Sequence, residues 1–402
     1  MLAGLVVASV VLVVFIGLPV ALLRGWRRVA GGLGGLVAFV AVALVAVKLR
    51  YGGGAQLADR STAPVLPASA LQPLVTLDFP PGNVAVDGDG RVFFAYHPFA
   101  KAERFAPATM FELVGGAPRP YPDAAFQARY QGVFGMTVDR QHRLWLIEPA
   151  SLDHARTRLL MFDLRTNTVA LEHWFPEGEA RFAQDLRVSP DGATVYLADT
   201  GLFRFTSASL IVFDVATRTH RTVLATAAQA QAQDWVIHTR YGAHKLAWGL
   251  VTFEVGLDGI ELSPDGAWLT FGAMSNDQLY KVPTAALRDR STTDAELAHQ
   301  IVALGPKPLS DGITLDRDGA VVLTDIEHGG LARLDARGAL VTLVRSPDVV
   351  WADGVVMAPD GALLVTDSAI PAYIDPLGRP PSLERLAAGR PYRIYRVSAP
   401  PR

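Results

Sequence analysis

The chain has 402 residues, half of them hydrophobic, with 37 Lys and Arg against 39 Asp and Glu and no cysteine. Balanced charge argues against a nucleic-acid binder, which needs a basic footprint. Absence of cysteine excludes disulfides, thiolate nucleophiles and zinc–cysteine sites, so an extracytoplasmic domain would rest on its core alone.

The first 50 residues read as a membrane anchor. Leu2 to Leu23 is 22 residues without a charge; Arg24, Arg27 and Arg28 follow; Val29 to Val47 is 19 more uncharged residues, closed by Lys48 and Arg50. A bilayer core takes about 20 apolar residues in a helix, so two transmembrane helices are predicted. The first stretch lacks the basic flank of a cleaved signal peptide. Basic residues in short loops favour the cytoplasmic side. That rule places the arginine loop inside and everything after Arg50 on the periplasmic side of the inner (cytoplasmic) membrane. Residues 51–70, rich in Gly, Ala, Ser and Pro without periodicity, read as a linker.

Residues 71–402 carry a phrase that returns six times: GNVAVDGDGRVFFAY, GMTVDRQHRLWLIE, DLRVSPDGATVYLAD, DGIELSPDGAWLTFG, DGITLDRDGAVVLTD and DGVVMAPDGALLVTD. Each copy opens on a polar or small residue, then gives an alternating apolar run, a turn and a second apolar run. Pro and Gly at fixed places set the turn. A third strand is visible after every copy and a fourth after the first five. Six four-stranded units predict an all-β, six-bladed β-propeller. The sixth copy runs out of chain after its third strand. Leu74–Phe79, ahead of the first copy, is the predicted missing partner, closing the ring and removing exposed edges. The copies at 185 and 258 lie 73 residues apart, so an insertion falls at 227–255, rich in Trp235, His238, Tyr241, His244 and Trp248. Two readings stand for it: a helix or lid over one face, or loop aromatics packed on the propeller rim.

The first residues of the copies should converge near the axis: Asn83, Asp185, Asp258, Asp311 and Asp353, with Gly135 as the exception. Four carboxylates and an amide at one place need neutralising. A hard divalent cation with oxygen ligands, Ca²⁺ best by type, is one answer. Shared protons or water are the other, since close carboxylates raise one another's pKa. Asp191, Asp265 and Asp360 of the turns read as structural. A second set ends the returning strands on the same face: His97, Glu148, Asp199, Asp325, Glu327, His328 and Asp367. His97, His328 and Glu327 are the acid–base candidates. Glu148, Asp199, Asp325 and Asp367, with Trp248 of the insertion, are the ligand-binding candidates. No G-x-S-x-G elbow and no H-E-x-x-H helix is present, and nothing points to an organic cofactor.

From Leu71 to Val397 the chain resembles the yellow/major royal jelly protein family, in order. The resemblance rests on GNVAVDGDGRVFFAYHPF with MFELVGGAPRPYP, GVFGMTVDRQHRLWLIE, DLRVSPDGATVYLADTG with SLIVFDV, GLDGIELSPDGAWLTFGA with LYKVPTAAL, and WADGVVMAPDGALLVTDSA. It implies a six-bladed propeller related to lactonases of the senescence-marker/gluconolactonase group, binding a small molecule at one end of its channel. Some insect members are linked to dopachrome isomerisation and others bind biogenic amines. This chain departs from them in lacking cysteine and in its apparent anchor. The related lactonases hold a metal with a first-strand Glu, and here that position reads Gly82-Asn83. Three functions follow as expectations: a small-molecule binder with isomerase activity, a metal-dependent lactonase or esterase, and a scaffold for a protein partner.

Overall fold

The computed structural model describes residues 25–100, 108–375, 377 and 381–398. The first predicted span, Leu2–Leu23, lies outside them. The described residues form two compact units: the N-terminal segment to Gly54 with Lys245–Thr252, and Ala55–His244 with Phe253–Arg402.

In the first unit, Trp26–Tyr51 is one helix, and its stretch Val29–Tyr51 is long and apolar enough to cross a bilayer. Lys245–Leu246 pairs with Val251–Thr252 as a short hairpin. Lys245 Nζ donates to the carbonyl of Gly52 (2.9 Å) and Thr252 Oγ1 to that of Gly53 (2.9 Å). The hairpin thus caps carbonyls that follow the helix, where a cation also suits the helix dipole.

The second unit is a propeller of six four-stranded antiparallel blades. From the axis outward, blade 1 is Pro81–Val86, Val92–Tyr96, Met110–Val114 and Ala117–Pro120. Blade 2 is Met136–Val138, Arg143–Glu148, Arg158–Asp163 and Thr168–Trp174. Blade 3 is Ala183–Val188, Thr194–Asp199, Ser209–Asp214 and Thr219–Val223. Blade 4 is Leu257–Leu262, Trp268–Ala273, Gln278–Pro283 and Val302–Pro306. Blade 5 is Ile313–Leu315, Val321–Asp325, Gly330–Leu334 and Leu340–Arg345. Blade 6 is Ala352–Met357, Leu363–Asp367, Tyr392–Val397 and, outermost, Leu71–Leu77. The ring closes as expected, with Leu71 opposite Val397 and Leu77 opposite Tyr392. The closing strand starts three residues earlier than the sequence reading put it. Pro73 is tolerated there because an outermost strand has one side without a ladder partner.

The core lies between blades. Trp145, Ile147 and Leu159 of blade 2 pack on Leu186, Leu197 and Phe213 of blade 3. Leu210 and Tyr196 of blade 3 pack on Ile260, Leu269 and Phe271 of blade 4. The inner-strand turns are closed by their own side chains: Asp191 Oδ1 accepts from Ser189 Oγ (2.5 Å) and Ala193 N (3.0 Å), and Asp265 repeats this with Ser263 and Ala267. Asp360 Oδ1 accepts from Ala362 N.

Of the stretch 51–70, Tyr51 ends the helix, Ala55 makes an isolated bridge with Trp235, and Ala68–Ala70 is a short 3-10 turn. Residues 55–70 are docked along blades 4 and 5. Arg60 pairs with Asp277 (2.7 Å), Thr62 and Thr342 exchange backbone-to-hydroxyl bonds (2.9 Å each), and Leu66 N donates to Leu343 O (2.8 Å). The strap covers part of an outer blade edge. The insertion is neither a helix nor one lid. It holds a 3-10 turn at Ala228–Ala230, the hairpin His238–Thr239/Gly242–Ala243, and the hairpin grouped with the first unit.

Candidate functional site

Counted back from the turn, the six copies do not open on one position. Asp258, Asp311 and Asp353 lie seven residues before the turn aspartate (258 to 265, 311 to 318, 353 to 360); Asn83 and Asp185 lie six before it (83 to 89, 185 to 191). Asn83 and Asp185 therefore stand where the other copies have glycine, and the aspartate position is Gly82 in blade 1, Phe134 in blade 2 and Gln184 in blade 3. The glycines mark where the neighbouring inner strand passes. A Cβ on Gly312 would sit 2.5 Å from the carbonyl oxygen of Asp353, and one on Gly354 would sit 2.8 Å from Asn83 Oδ1. Asn83 Oδ1 accepts from Val84 N (2.8 Å). Asp185 is held by Leu186 N (2.8 Å), Arg187 Nη1 (2.8 Å) and, across the blade boundary, Ile260 N (3.3 Å).

Blades 4 to 6 form an acidic half. Burial and the charges of Asp185 and Asp353 push Asp258 well above the usual carboxylate range. Asp311 is raised likewise, first by loss of solvent and then by Asp353 and Asp258, against the hydrogen bond from Trp351 Nε1 to its Oδ2 (2.8 Å). Both carboxyls therefore hold protons at pH values where an ordinary aspartate has lost its own. Asp258 Oδ2 and Asp353 Oδ2 are buried and accept no hydrogen bond, and the buried Tyr373 hydroxyl also has none. Lys307, 1% exposed, donates to the carbonyls of Met274 (3.3 Å) and Pro308 (3.1 Å). Burial brings its amine down to about 7, against the pull of Asp277, Asp258 and Asp311. Trp351 is steadied by His244 and Phe253 of the insertion, with ring centroids 5.8 and 6.4 Å away.

The other half is aromatic. Gly82 leaves room beside it for His97, whose Cδ2 would lie 3.7 Å from a Cβ there. His97 Nδ1 accepts from Phe99 N (3.2 Å), which puts the imidazole proton on Nε2, 3.4 Å from Asp353 Oδ2. The His97 ring packs against Phe99, Phe134 and Tyr373, with centroids 5.1, 6.2 and 6.4 Å away. One strand pleat further along, Arg187 pairs with Glu261 (3.1 Å) and donates to Ile313 O (3.2 Å), tying blades 3, 4 and 5 together.

The remaining candidates at the strand ends serve the loops. Glu148 pairs with Arg158 (2.5 Å) and accepts from Gln131 N and Gly132 N. Asp199 accepts from Gly201 N and Phe182 N. Asp367 accepts from Val350, Trp351 and Ala369 N–H groups, yet burial still lifts it to about 6. Asp325 holds His328 Nδ1 (3.0 Å), which raises the imidazole's pKa, and Glu327, lifted to about 7 by burial, accepts from His238 N (2.7 Å). Asp59 of the strap lies 3.5 Å from His328 Nε2. Of the three acid–base candidates, His97 alone contacts an axial aspartate; Trp248 belongs to the first unit. Lys307, Trp351, Tyr373 and Phe134 join the axial cluster without having been singled out in the sequence.

The axial donors suit a hard cation by type, and the two carboxylate oxygens without a hydrogen bond are what such an ion would satisfy. The structure does not draw them into a closed cage. Among the described residues, the group of three acid or histidine side chains whose ligand atoms lie within 4.8 Å of one another is Asp87, Asp89 and His142. That group sits at the turns, where Asp87 Oδ1 already accepts from Asp89 N and Arg91 N.

The model of the family described as major royal jelly protein matches residues 131–355, more than half of the chain. The chain belongs to the major royal jelly protein family. No curated protein matches it significantly in sequence. Among solved structures it is similar to regucalcin from Agrobacterium tumefaciens, described as a calcium-binding protein, at 15% identity over 84% of this chain and 96% of that one, with a TM-score of 0.50. It is also similar to a gluconolactonase from Xanthomonas campestris (15% identity, 73% and 84% covered, TM-score 0.47) and to virginiamycin B lyase from Staphylococcus aureus (14%, 72% and 78%, 0.43). At 15% identity the likeness to the regucalcin structure is one of fold alone.

Proposed function

We propose that this royal jelly family propeller is anchored by its N-terminal helix, faces the periplasm, and binds a small molecule at the axial end of its inner strands. On that ligand it performs proton transfer of the isomerase kind, as in dopachrome tautomerisation. The observation that carries the reading is the pair of buried oxygens without a hydrogen bond, Asp258 Oδ2 and Asp353 Oδ2, the second lying 3.4 Å from His97, whose ring packs on Phe134. An amine or hydroxyl on the ligand would satisfy the oxygens, and its ring would meet the aromatics. An isomerisation takes a proton from one atom and returns one to another, so it needs an acid and a base with similar proton affinities. Asp258 and Asp311 supply protonated carboxyls, the buried Lys307 amine interacts with both, and His97 Nε2 lies 3.4 Å from Asp353 Oδ2. Thermal-shift screening of the full chain with aromatic amines and catechols should show stabilisation that Asp258→Asn abolishes. No stabilisation by any of them would sink the reading.

The acidic half also supports a second reading, a metal-dependent lactonase or esterase. Asp258, Asp311 and Asp353 would hold Ca²⁺ or another divalent cation, which when bound would supply Lewis acidity toward an ester carbonyl. This reading expects lactone hydrolysis that a chelator stops. Unchanged hydrolysis in the Asp258→Ala plus Asp311→Ala variant would remove it.

A further inference from the structure

The hairpin Lys245–Thr252 bears features that the propeller site does not use. Its tip exposes Trp248 at 83%, among the largest exposures of any large apolar side chain described. Trp248 is held at φ 56°, ψ 33°, between Ala247 at φ 49° and Gly249 at φ 81°. Left-handed backbone at a bulky residue is unusual and persists where the surroundings impose it. An indole pushed into water on a strained tip gains nothing in a soluble setting.

Its neighbourhood names the missing partner. The hairpin packs on the end of the apolar helix. A Cβ on Gly52 would lie 2.6 Å from Gly249 O and 2.7 Å from Leu250 O, so only glycine lets the tip approach this closely. The last helical turn carries exposed Lys48 and Arg50, and the Arg50 guanidinium lies 5.2 Å from the ring of Tyr51. Basic side chains that reach to headgroups, with Tyr and Trp at the same level, are the composition of a membrane–water interface.

We infer that the Lys245–Thr252 hairpin is a bilayer-docking loop: it seats the Trp248 indole in the headgroup region of the membrane spanned by the helix, beside Tyr51, Lys48 and Arg50. The occupant is the phospholipid interface itself. The loop would give the anchor a second point of attachment where the chain leaves the membrane, restricting its swivel. The inference rests on the anchor reading of the helix.

The cysteine-free chain allows a direct test. The full-length protein carrying Trp248→Cys is spin-labelled in lipid nanodiscs, with Leu152→Cys, an exposed propeller position, as the water reference. The label at 248 should collide more with oxygen and lose the collisions with a water-soluble nickel chelate that the label at 152 shows. Equal nickel access at the two positions overturns the inference, as does spin–spin broadening that reports a second copy on the tip. Brominated-lipid quenching gives a check without a label: the wild-type chain should be quenched more than Trp248→Phe, and equal quenching counts against the loop. Alkaline carbonate extraction separates the two readings. Release of the chain from membranes removes the anchor and the loop together, whereas retention with Trp248 in water removes the loop alone.

Discussion

Two sets of carboxylates end up near the same face of the propeller, and they have opposite fates. Glu148, Asp199, Asp325 and Asp367, at the ends of second strands, are saturated with backbone N–H groups, an arginine or a histidine. Asp258, at the start of its inner strand, buries an oxygen that no donor reaches, and the buried Oδ2 of Asp353 makes no hydrogen bond and has the His97 imidazole 3.4 Å away. A buried polar group stabilises a fold when it is satisfied and costs stability when it is not. The first set therefore belongs to the architecture. The second is tolerated at a cost, and such sites concentrate where a ligand completes them.

The comparison predicts opposite signs for similar substitutions. The largest effect is expected from Glu148→Ala, which takes the buried partner from Arg158 and leaves it the half-buried Glu172 (3.2 Å) and the carbonyl of Arg129; breaking one side of a buried pair costs about 3–5 kcal/mol. The denaturant midpoint should fall accordingly, and a change near zero would move Glu148 out of the architectural set. Asp367→Ala comes next. It leaves the N–H groups of Val350, Trp351 and Ala369 without their acceptor, for a loss of about 1–3 kcal/mol. Because Trp351 also positions Asp311, this variant should weaken ligand binding as well, read as a smaller thermal shift.

The fold was legible because each blade is local: one turn phrase, four short strands, and a closing strand with no other place to go. The site was only partly legible. Aligning the copies on their first polar residue mixed two positions of the pleat, and a one-residue slip changes the face a side chain meets. Asn83 and Asp185 were thereby grouped with Asp258, Asp311 and Asp353, although they fill the glycine position. Counting from the turn aspartate separates them, and would also have shown Gly82, Phe134 and Gln184 as the non-acidic half. Irregular pairing at Ala183/Asp185 and Leu257/Ile260 still lets Asp185 act on Asp258. Lys307, between two prolines, and Tyr373, in a loop helix, reach the axis from outside the repeat, so no periodicity announces them.

The smallest expected effect is the most specific to the axial set. Asp258 and Asp311 have folded pKa values above the ordinary 3.8. As pH rises past that value, the unfolded chain releases these protons while the folded chain keeps them. Stability is therefore lost from about pH 4 upward until the folded values are passed. Replacing Asp258 by Asn removes the ionising group and keeps the shape, so Asp258→Asn should be more stable than the wild-type chain at neutral pH. The gain should shrink toward zero below about pH 3, where Asp258 is neutral in the unfolded chain as well. Thermal midpoints of the two chains from about pH 3 to 8 would show it as curves that meet in acid and diverge toward neutrality. A cation or amine ligand should close that gap by stabilising the wild-type carboxylates and not the amide. If the curves stay parallel, Asp258 is an ordinary structural residue, and the contrast between the two carboxylate sets fails at the member that defines it.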